Sequence, residues 1–348
     1  MRKGIILATA LLPTIGHQAL VQFALNFVGV NFDQLILIIS SRSYEPIAGK
    51  ERVRAFRNQF KDYPGFVVVE HADDNAPQNP EDIPEDEFWE YWRNTVDTLV
   101  KGVGPDDALF ASEKYGIKMA EALGIEFIPY DINRDTYQVT GTRTRFNYML
   151  SFDEIMPAFR YDMVKRVTIF GAESCGKTTA SRYIAGELDA YLVPEWARGY
   201  LETVGPELTE HKMLNIARGQ FAAQMVPKKA ADKLFIVQDT DLLSTIGYYR
   251  ILGWKVPMEL LTMFAITKAD LYVLMDSNIP FEADILRYGG DKRESTDQFW
   301  IDLLEEFDCN YVVMKSDPDV DGWNRASDTL KHINKTLIDY NLADFKRD

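Results

Sequence analysis

Short apolar runs alternate with amphipathic helical patterns along the chain, and the alternation forms two separate series. In the first half the apolar runs are continuous, which is typical of strands buried on both faces of a parallel sheet. They fall at residues 4–8, 35–40, 66–69, 108–111 and 127–130. Two of the intervening segments place apolar residues on one helical face: Leu20, Phe23, Ala24 and Phe27, and then Phe88, Trp92, Val96 and Leu99. We therefore expect an open, doubly wound sheet.

A second series of the same kind begins at Arg166. Its predicted strands cover residues 167–170, 191–193, 234–238, 271–275 and 311–314. The pattern predicts two doubly wound parallel-sheet domains, at residues 1–155 and 165–348, joined through residues 151–164. Within the first domain, the acidic and proline-rich residues 71–87 predict a mobile surface loop.

Composition and charge narrow the class of protein. The 348 residues carry a formal net charge of −15, which argues against a chain built to grip nucleic acid or an anionic membrane. No apolar stretch approaches the ~20 residues of a membrane-spanning helix. With only two cysteines, Cys175 and Cys309, we expect a reducing compartment, the cytoplasm. The basic and apolar start of the chain could also be a secretion signal, but Pro13 interrupts it early.

The most specific motif is Gly171-x-x-x-x-Gly176-Lys177-Thr178, which follows an apolar strand and opens a helix. Its glycines let backbone N–H groups surround the phosphates of a nucleotide, and Thr179 belongs to the same nucleotide-binding turn. Lys177 is expected to reach the β- and γ-phosphates, and the Thr178 hydroxyl to ligate Mg²⁺. The motif therefore predicts an ATP-binding loop.

Carboxylates after two other strands of this half are candidates for the same chemistry. Asp239 is expected to hold Mg²⁺ through water or to take a proton from the substrate. Glu195 is the other candidate base, and Arg198 an anchor for the phosphoryl acceptor; a surface ion pair is the alternative for these two. Asp241 is expected either to bind substrate or to cap the following helix.

Residues 280–294 are polar and contain two glycines, a composition that suits a lid closing over the phosphates. Arg287 and Arg293 would then neutralise charge on the transferring phosphoryl group, although a solvated loop would have the same composition. Because the guanine-reading motif Asn-Lys-x-Asp does not occur, a small-molecule kinase is the leading interpretation of this half.

The first strand delivers a second loop, Thr14-Ile15-Gly16-His17, onto the start of a helix. A helix N-terminus offers free N–H groups and partial positive charge, and Gly16 lets a phosphate approach the backbone. His17 can donate a hydrogen bond to an α-phosphate as charge builds on it. An ordinary helix cap is the alternative for such a Gly-His pair.

Residues 140–145 combine hydroxyl groups and arginines in one short stretch and predict a triphosphate clamp, to which Arg143 contributes. Together the two stretches resemble the nucleotidyltransferase superfamily, whose signatures are H/T-x-G-H and I-S-S-T-x-x-R. The segment from Thr14 to His17 matches the first signature in its threonine form. Residues 139–145 look like the second, with Thr142 and Arg145 at its diagnostic positions.

A nucleotidyltransferase followed by a P-loop kinase resembles the bifunctional NadR family over roughly residues 1–310. The resemblance implies a Rossmann-like domain that transfers adenylate to nicotinamide mononucleotide (NMN) and a P-loop domain that phosphorylates nicotinamide riboside. Three further stretches are similar to the family and imply more binding residues. The first follows the second strand and contains Arg42 and Arg52, and the second is the turn with Ser112, Glu113 and Tyr115. The third, with Asp131 and Arg134, corresponds to a loop that contacts adenosine. A cationic pyridinium ring would stack well on Trp89 or Trp92, whose spacing is also that of core residues.

The resemblance implies ATP and Mg²⁺ as cofactors and small-molecule partners, namely nicotinamide riboside, NMN, ATP and NAD. It implies no nucleic acid and no membrane, and no regulatory role on DNA, since Gly4 already begins the first strand; a homo-oligomer stays open. Two alternatives remain. One is a phosphopantetheine adenylyltransferase fused to a dephospho-coenzyme A kinase, and the other is a nucleotide-sensing regulatory protein.

Overall fold

The computed structural model describes residues 2–31, 34–81, 83–146, 148–278, 296–316 and 322–338. They divide into two compact units, the first reaching Asp162 and the second beginning at Met163. Each unit contains a five-stranded sheet in which every pairing is parallel. The predicted α/β fold class is confirmed.

The first unit has the strand order β3-β2-β1-β4-β5. Its strands are β1 Lys3–Ala8, β2 Gln34–Ser41, β3 Phe66–Ala72, β4 Ala108–Ala111 and β5 Glu126–Pro129. Its α-helices are α1 Ile15–Asn31, α2 Gly49–Gln59, α3 Glu85–Leu99, α4 Tyr115–Leu123, α5 Gly141–Phe146 and α6 Pro157–Met163. The strand order reverses at β1, so the β1 and β4 ends open a crevice, where ligands of doubly wound sheets bind.

The structure adds detail to one segment predicted in the first unit and corrects another. Residues 71–87 are not one surface loop, because β3 extends through Ala72, α3 begins at Glu85, and Ala76 between them is buried. The joint at residues 151–164 is helical over Phe152–Glu154 and again in α6. It also packs on the first unit: Ile155 forms a bridge with Thr14, and Met156 N–H donates to the Pro13 carbonyl (2.9 Å). Hydrogen bonding to distant residues, which local composition does not reveal, orders both segments.

The second unit has the strand order β10-β9-β6-β8-β7. Its strands are β6 Lys165–Phe170, β7 Tyr191–Val193, β8 Phe235–Asp239, β9 Leu271–Met275 and β10 Tyr311–Met314. Its α-helices are α7 Lys177–Glu187, α8 Trp196–Val204, α9 Glu210–Ala230, α10 Leu242–Ile251, α11 Met258–Thr267, α12 Asp297–Glu306 and α13 Gly322–Ile333. Phe170 and Trp300 pack edge to face in its core, with ring centroids 5.3 Å apart.

All ten predicted strands are present to within a few residues of their predicted ends. Strands β2, β6, β8 and β9 are almost fully buried, as their continuous apolar runs predicted, whereas β1 is buried only over its middle three residues. Across the part of the chain that the structure describes, no helix has both the length and the apolar character needed to cross a bilayer.

Candidate functional site

The first unit has a cavity of about 760 Å³ at the carboxyl ends of its strands. The wall contains twelve of the residues proposed from sequence: Thr14, Gly16, His17, Trp89, Trp92, Ser112, Glu113, Tyr115, Asp131, Arg134, Thr142 and Arg145. These residues come from loops that are far apart in sequence, and the sheet edge brings them to one place. A cavity of this size can hold a nucleotide-sized ligand.

His17 is held in a defined protonation state. Its Nδ1 accepts a hydrogen bond from the Thr14 backbone N–H (3.1 Å) and lies 2.8 Å from Thr14 Oγ1. Because Nδ1 is an acceptor, the neutral ring carries its proton on Nε2. Burial, with the charges of Arg134 and Arg145, lowers the pKa of His17 to about 4. At neutral pH the cavity therefore contains an uncharged imidazole that offers one N–H donor.

Another part of the wall is the loop at residues 131–139, which is fixed by hydrogen bonds and one ion pair. Asp131, whose backbone φ is +47°, accepts the backbone N–H groups of Thr136 (3.0 Å) and Tyr137 (2.9 Å). Those two hydrogen bonds lower the pKa of its carboxyl. Arg134 donates to the Val139 carbonyl (2.8 Å) and to Glu113 Oε1 (3.1 Å). Asp131 thus shapes the loop, and Arg134 ties the loop to the end of β4.

The short helix α5 then brings Arg145 beside His17. A Cβ added to Gly141, at the start of this helix, would lie 3.5 Å from Arg145 Nη1 and 3.9 Å from His17 Cε1. Arg145 Nη2 also donates to Thr142 Oγ1 (3.3 Å). The two residues at the diagnostic positions of the second signature therefore contact each other at the cavity.

Three arginines singled out from the sequence are not part of this wall. Arg143 forms an ion pair with Glu154, and Arg42 donates to the Ala76 carbonyl (2.6 Å). Arg52 is fully buried, pairs with Glu45 and donates to the Thr9 carbonyl (2.6 Å). Arg52 thereby supports the loop that follows β1, without facing the cavity.

An aromatic side of the first cavity comes from α3. Trp92 is buried, and its Nε1 donates to the Pro77 carbonyl (3.0 Å), whereas Trp89 is only half-buried. Gln78, Asn79 and Pro80, which belong to no predicted motif, also line the cavity. Their segment was interpreted from its composition as a surface loop, and the hydrogen bond from Trp92 that fixes it gives no local sequence signal.

The second unit has a cavity of about 520 Å³. Its wall contains eight of the residues proposed from sequence: Gly171, Gly176, Lys177, Thr178, Thr179, Glu195, Arg198 and Asp241. The glycine-rich loop follows β6, the central strand, and leads into α7. This is the geometry of a phosphate-binding loop.

The loop is closely fitted to its surroundings. At Gly171 the backbone has φ +130°, and a Cβ there would lie 2.6 Å from the Met275 carbonyl oxygen, so only glycine fits. Lys177 Nζ donates to the carbonyls of Gly171 (3.1 Å) and Ala172 (2.5 Å). Thr178 Oγ1 donates to Asp239 Oδ2 (2.6 Å), which places the carboxylate at the end of β8 directly behind the loop.

Glu195 lies at the end of β7 and faces the open cavity. The surrounding protein desolvates its carboxyl and raises its pKa; Asp239 and Glu173 raise it further, while Lys177 lowers it. Arg198 is half-exposed on the same wall and pairs with Glu202 (Nε–Oε1 3.4 Å). Glu195 is therefore a carboxylate held close to the phosphate loop.

Asp241 is the N-cap of α10, as the alternative prediction held. Its Oδ1 accepts the Leu243 N–H (2.9 Å) and its Oδ2 accepts the Tyr272 hydroxyl (2.6 Å). Burial raises the pKa of Asp241 to about 6, although these hydrogen bonds lower it. The predicted lid arginines, Arg287 and Arg293, lie outside the described residues.

Three further residues at the second cavity carried no signal in the sequence. Gln220 and Tyr248 line the cavity from α9 and α10. Arg325 of α13 donates to the carbonyl of Cys175 in the phosphate loop (3.3 Å) and pairs with Asp276 (2.9 Å). None of these residues belongs to a motif; each acts through a contact between elements far apart in the chain.

Residues 166–320 match the AAA domain family. In sequence, the chain is similar to the trifunctional NAD biosynthesis/regulator protein NadR of Escherichia coli (strain K12). The two are 23% identical over 239 residues, which cover 66% of this chain and 58% of that protein. The chain thus spans little more than half the length of this relative.

The fold is similar to that of two solved structures. A crystal structure of NadR protein in complex with NR has a TM-score of 0.64 and 21% identity, and the match covers 97% of this chain and 96% of that chain. A crystal structure of NadR protein in complex with NAD and AMP-PNP has a TM-score of 0.63 and 21% identity, covering 100% and 97%. Sequence similarity and fold together make this chain a homologue of the NadR proteins.

Proposed function

We propose that this chain is a bifunctional enzyme of NAD salvage. The second unit phosphorylates nicotinamide riboside with ATP to give NMN and ADP. The first unit then transfers the adenylyl group of a second ATP to NMN, giving NAD and pyrophosphate. The product of one site is thus the substrate of the other.

In the first unit, ATP lies with its phosphates toward His17, Arg134 and Arg145. A phosphate oxygen of NMN attacks the α-phosphorus, the new P–O bond forms, and the bond from that phosphorus to pyrophosphate breaks. The nucleophile is already an anion, so the site needs no general base. The neutral His17 donates its Nε2 hydrogen to the α-phosphate as charge builds there, while the two arginines bind the leaving pyrophosphate.

In the second unit, the 5′-hydroxyl oxygen of the riboside attacks the γ-phosphorus, and the bond from that phosphorus to ADP breaks. The hydroxyl proton passes to Glu195, which lines the same cavity as the phosphate loop and whose pKa is raised above its ordinary value. Lys177 binds the transferring phosphoryl group. Arg198 contacts the acceptor from the same wall.

The residues behind the phosphate loop fit a bound Mg²⁺. Asp239 is buried, and its Oδ1 has no hydrogen-bond partner among the described residues. A buried carboxylate oxygen in this condition is costly unless a cation or water meets it. Thr178 and Asp239 would hold the ion, which would neutralise charge on the transferring phosphoryl group.

The observation that carries the proposal is the presence of two strand-end cavities in one chain, one built on a neutral histidine and one on a phosphate loop. It is tested with the purified full chain in two assays. ATP with NMN should yield NAD and pyrophosphate, and ATP with nicotinamide riboside should yield NMN and ADP. Turnover of phosphopantetheine and dephospho-coenzyme A instead would assign the chain to the alternative fusion, and ligand binding without turnover would indicate a sensor.

A further inference from the structure

The second cavity has two chemically different ends. One is the phosphate loop with its backbone N–H groups. The other is formed by α8, α9 and α10, and its wall is mostly apolar, including Leu201, Met213 and Ile216. Because the loop takes the phosphates, the apolar end is left for the molecule that receives the phosphoryl group.

Gln220 places a buried amide in this apolar wall. It lies on the same face of α9 as Met213 and Ile216, and only 3% of its surface is exposed. Its Oε1 accepts the Trp196 backbone N–H (2.9 Å) at the first turn of α8. The indole of Trp196 packs directly against Gly219, where a Cβ would approach it to 2.4 Å. This packing fixes α8 on α9 and so fixes the amide.

The orientation of the Gln220 amide leaves its N–H donors unused. The backbone N–H of Trp196 donates to the amide oxygen, so the amide nitrogen, Nε2, points the other way. That Nε2 has no hydrogen-bond partner among the described residues, and neither does Oγ of Ser244, which lines the same cavity and is 7% exposed. Buried donors without partners are rare because each forfeits its hydrogen bonds to water. A ligand that accepts from them would remove this cost.

We propose that Gln220 determines acceptor specificity in the second site by donating from Nε2 to a carbonyl oxygen on the ring of the acceptor. The inference rests on the proposed function, in which that oxygen belongs to the carboxamide of nicotinamide riboside. The apolar wall contacts the flat faces of the pyridinium ring, and the Gln220 side chain recognises the carboxamide on that ring. Glu173 and Glu195 line this cavity, and their negative charge also favours a cationic pyridinium ring.

The test compares two acceptors and two variants in the full chain. The acceptors are nicotinamide riboside and ribosylpyridinium, which lacks the carboxamide. Gln220→Met removes the amide at nearly constant volume. The matched control is Gln224→Met, one turn further along α9: Gln224 is fully buried, both of its amide atoms lack partners among the described residues, and it does not line the cavity.

We expect Gln220→Met to raise KM for nicotinamide riboside about tenfold, with kcat and the KM for ATP within about twofold of wild type. KM for ribosylpyridinium should not change, and Gln224→Met should affect neither acceptor. Gln220→Glu keeps the oxygen that accepts from Trp196 and replaces the donor, so it should show the same selective loss if Gln220→Met fails to fold.

Three results would overturn the inference: an equal loss with both acceptors, a loss also in Gln224→Met, or a Gln220→Met enzyme with the kinetics of wild type. Equal KM values of the wild-type enzyme for the two acceptors would also overturn the inference about Gln220, but they would not contradict the proposed kinase activity. Wild-type protein that phosphorylates neither riboside would instead contradict the proposed function itself.

Discussion

The two cavities follow the same strand–loop–helix turn, yet they present different chemistry to a phosphate. The first has an uncharged imidazole, His17, and two arginines, Arg134 and Arg145, in the same wall. The second has one lysine, Lys177, close to the carboxylates Glu195 and Asp239. The turn itself supplies backbone N–H groups in both cases, so the side chains around it set the reaction.

The difference matches the nucleophiles of the two proposed reactions. A phosphate nucleophile carries its own charge and needs no base, so a neutral donor with arginines suits adenylyl transfer. A ribose hydroxyl must lose a proton, and a carboxylate with a raised pKa can take it. Because the two sites depend on different residues, changes in one should leave the other reaction intact.

The largest effect is expected from Lys177→Ala. Removing the ammonium that binds the transferring group should lower kcat of riboside phosphorylation about a thousandfold. Adenylyl transfer to NMN should stay within about twofold of wild type. Steady-state assays of each half-reaction on one preparation measure both numbers. A parallel loss of both activities in a folded protein would contradict the division of labour between the units.

His17→Ala should give the opposite result. We expect NAD formation from NMN to fall about a hundredfold, because one donor to the α-phosphate is lost, while riboside phosphorylation is unchanged. Pyrophosphate release measures the first reaction and ADP release the second. His211→Ala, which changes a partly exposed histidine on α9, is the matched control and should leave adenylyl transfer at the wild-type rate.

Much of this fold could be predicted because its signals are local. Each buried strand is a continuous apolar run, and both predicted phosphate-binding turns place a glycine at the start of a helix that follows a strand, as at Gly176 and Gly16. Residues 71–87 were interpreted wrongly because their acidic, proline-rich composition is typical of solvated loops. What orders that segment is a set of distant contacts, such as the one from Trp92 to the Pro77 carbonyl.

The sequence predicted which residues belong to the sites more readily than it predicted where their side chains point. Arg143 and Arg145 are two positions apart and look equivalent in sequence, but on the six-residue helix α5 they point to Glu154 and to the cavity respectively. Gln220 carries no motif, since its importance depends on the Trp196 N–H from another helix. Side-chain direction and tertiary partners are set by packing, which the pattern of residues does not encode locally.

A smaller effect is expected from Thr14→Val, which removes the hydroxyl 2.8 Å from His17 Nδ1 but keeps the backbone N–H. Adenylyl transfer should fall about fivefold through looser positioning of the ring. Thr14→Ser keeps the hydroxyl and should restore most of the rate. If Thr14→Val lost as much activity as His17→Ala, Thr14 would have to contact the substrate itself.

NMR spectra of the His17 ring nitrogens report directly on the contact between Thr14 and His17 Nδ1. His17 should show the Nε2–H tautomer at pH 7 and titrate only near a pKa of about 4. Because the unfolded chain takes up this proton below pH 6.5, the contribution of His17 to stability is complete above pH 6.5 and lost as pH falls toward 4. A His17 signal that titrates near pH 6.5 would contradict the neutral site and leave the two cavities less different.

The smallest effect, from Asp241→Asn, tests whether every carboxylate of the second cavity takes part in its chemistry. Asparagine caps helices as well as aspartate, so riboside phosphorylation should stay within about threefold of wild type. Burial raises the pKa of Asp241 to about 6, so in wild type this group contributes stability below pH 3.8 that is lost as pH rises to 6. Asparagine cannot titrate, so the Tm of the variant relative to wild type should rise by about 6 °C across that window, equivalent to about 3 kcal/mol. A large loss of activity at constant stability would instead indicate that Asp241 contacts the substrate and that a buried carboxylate takes part in the reaction.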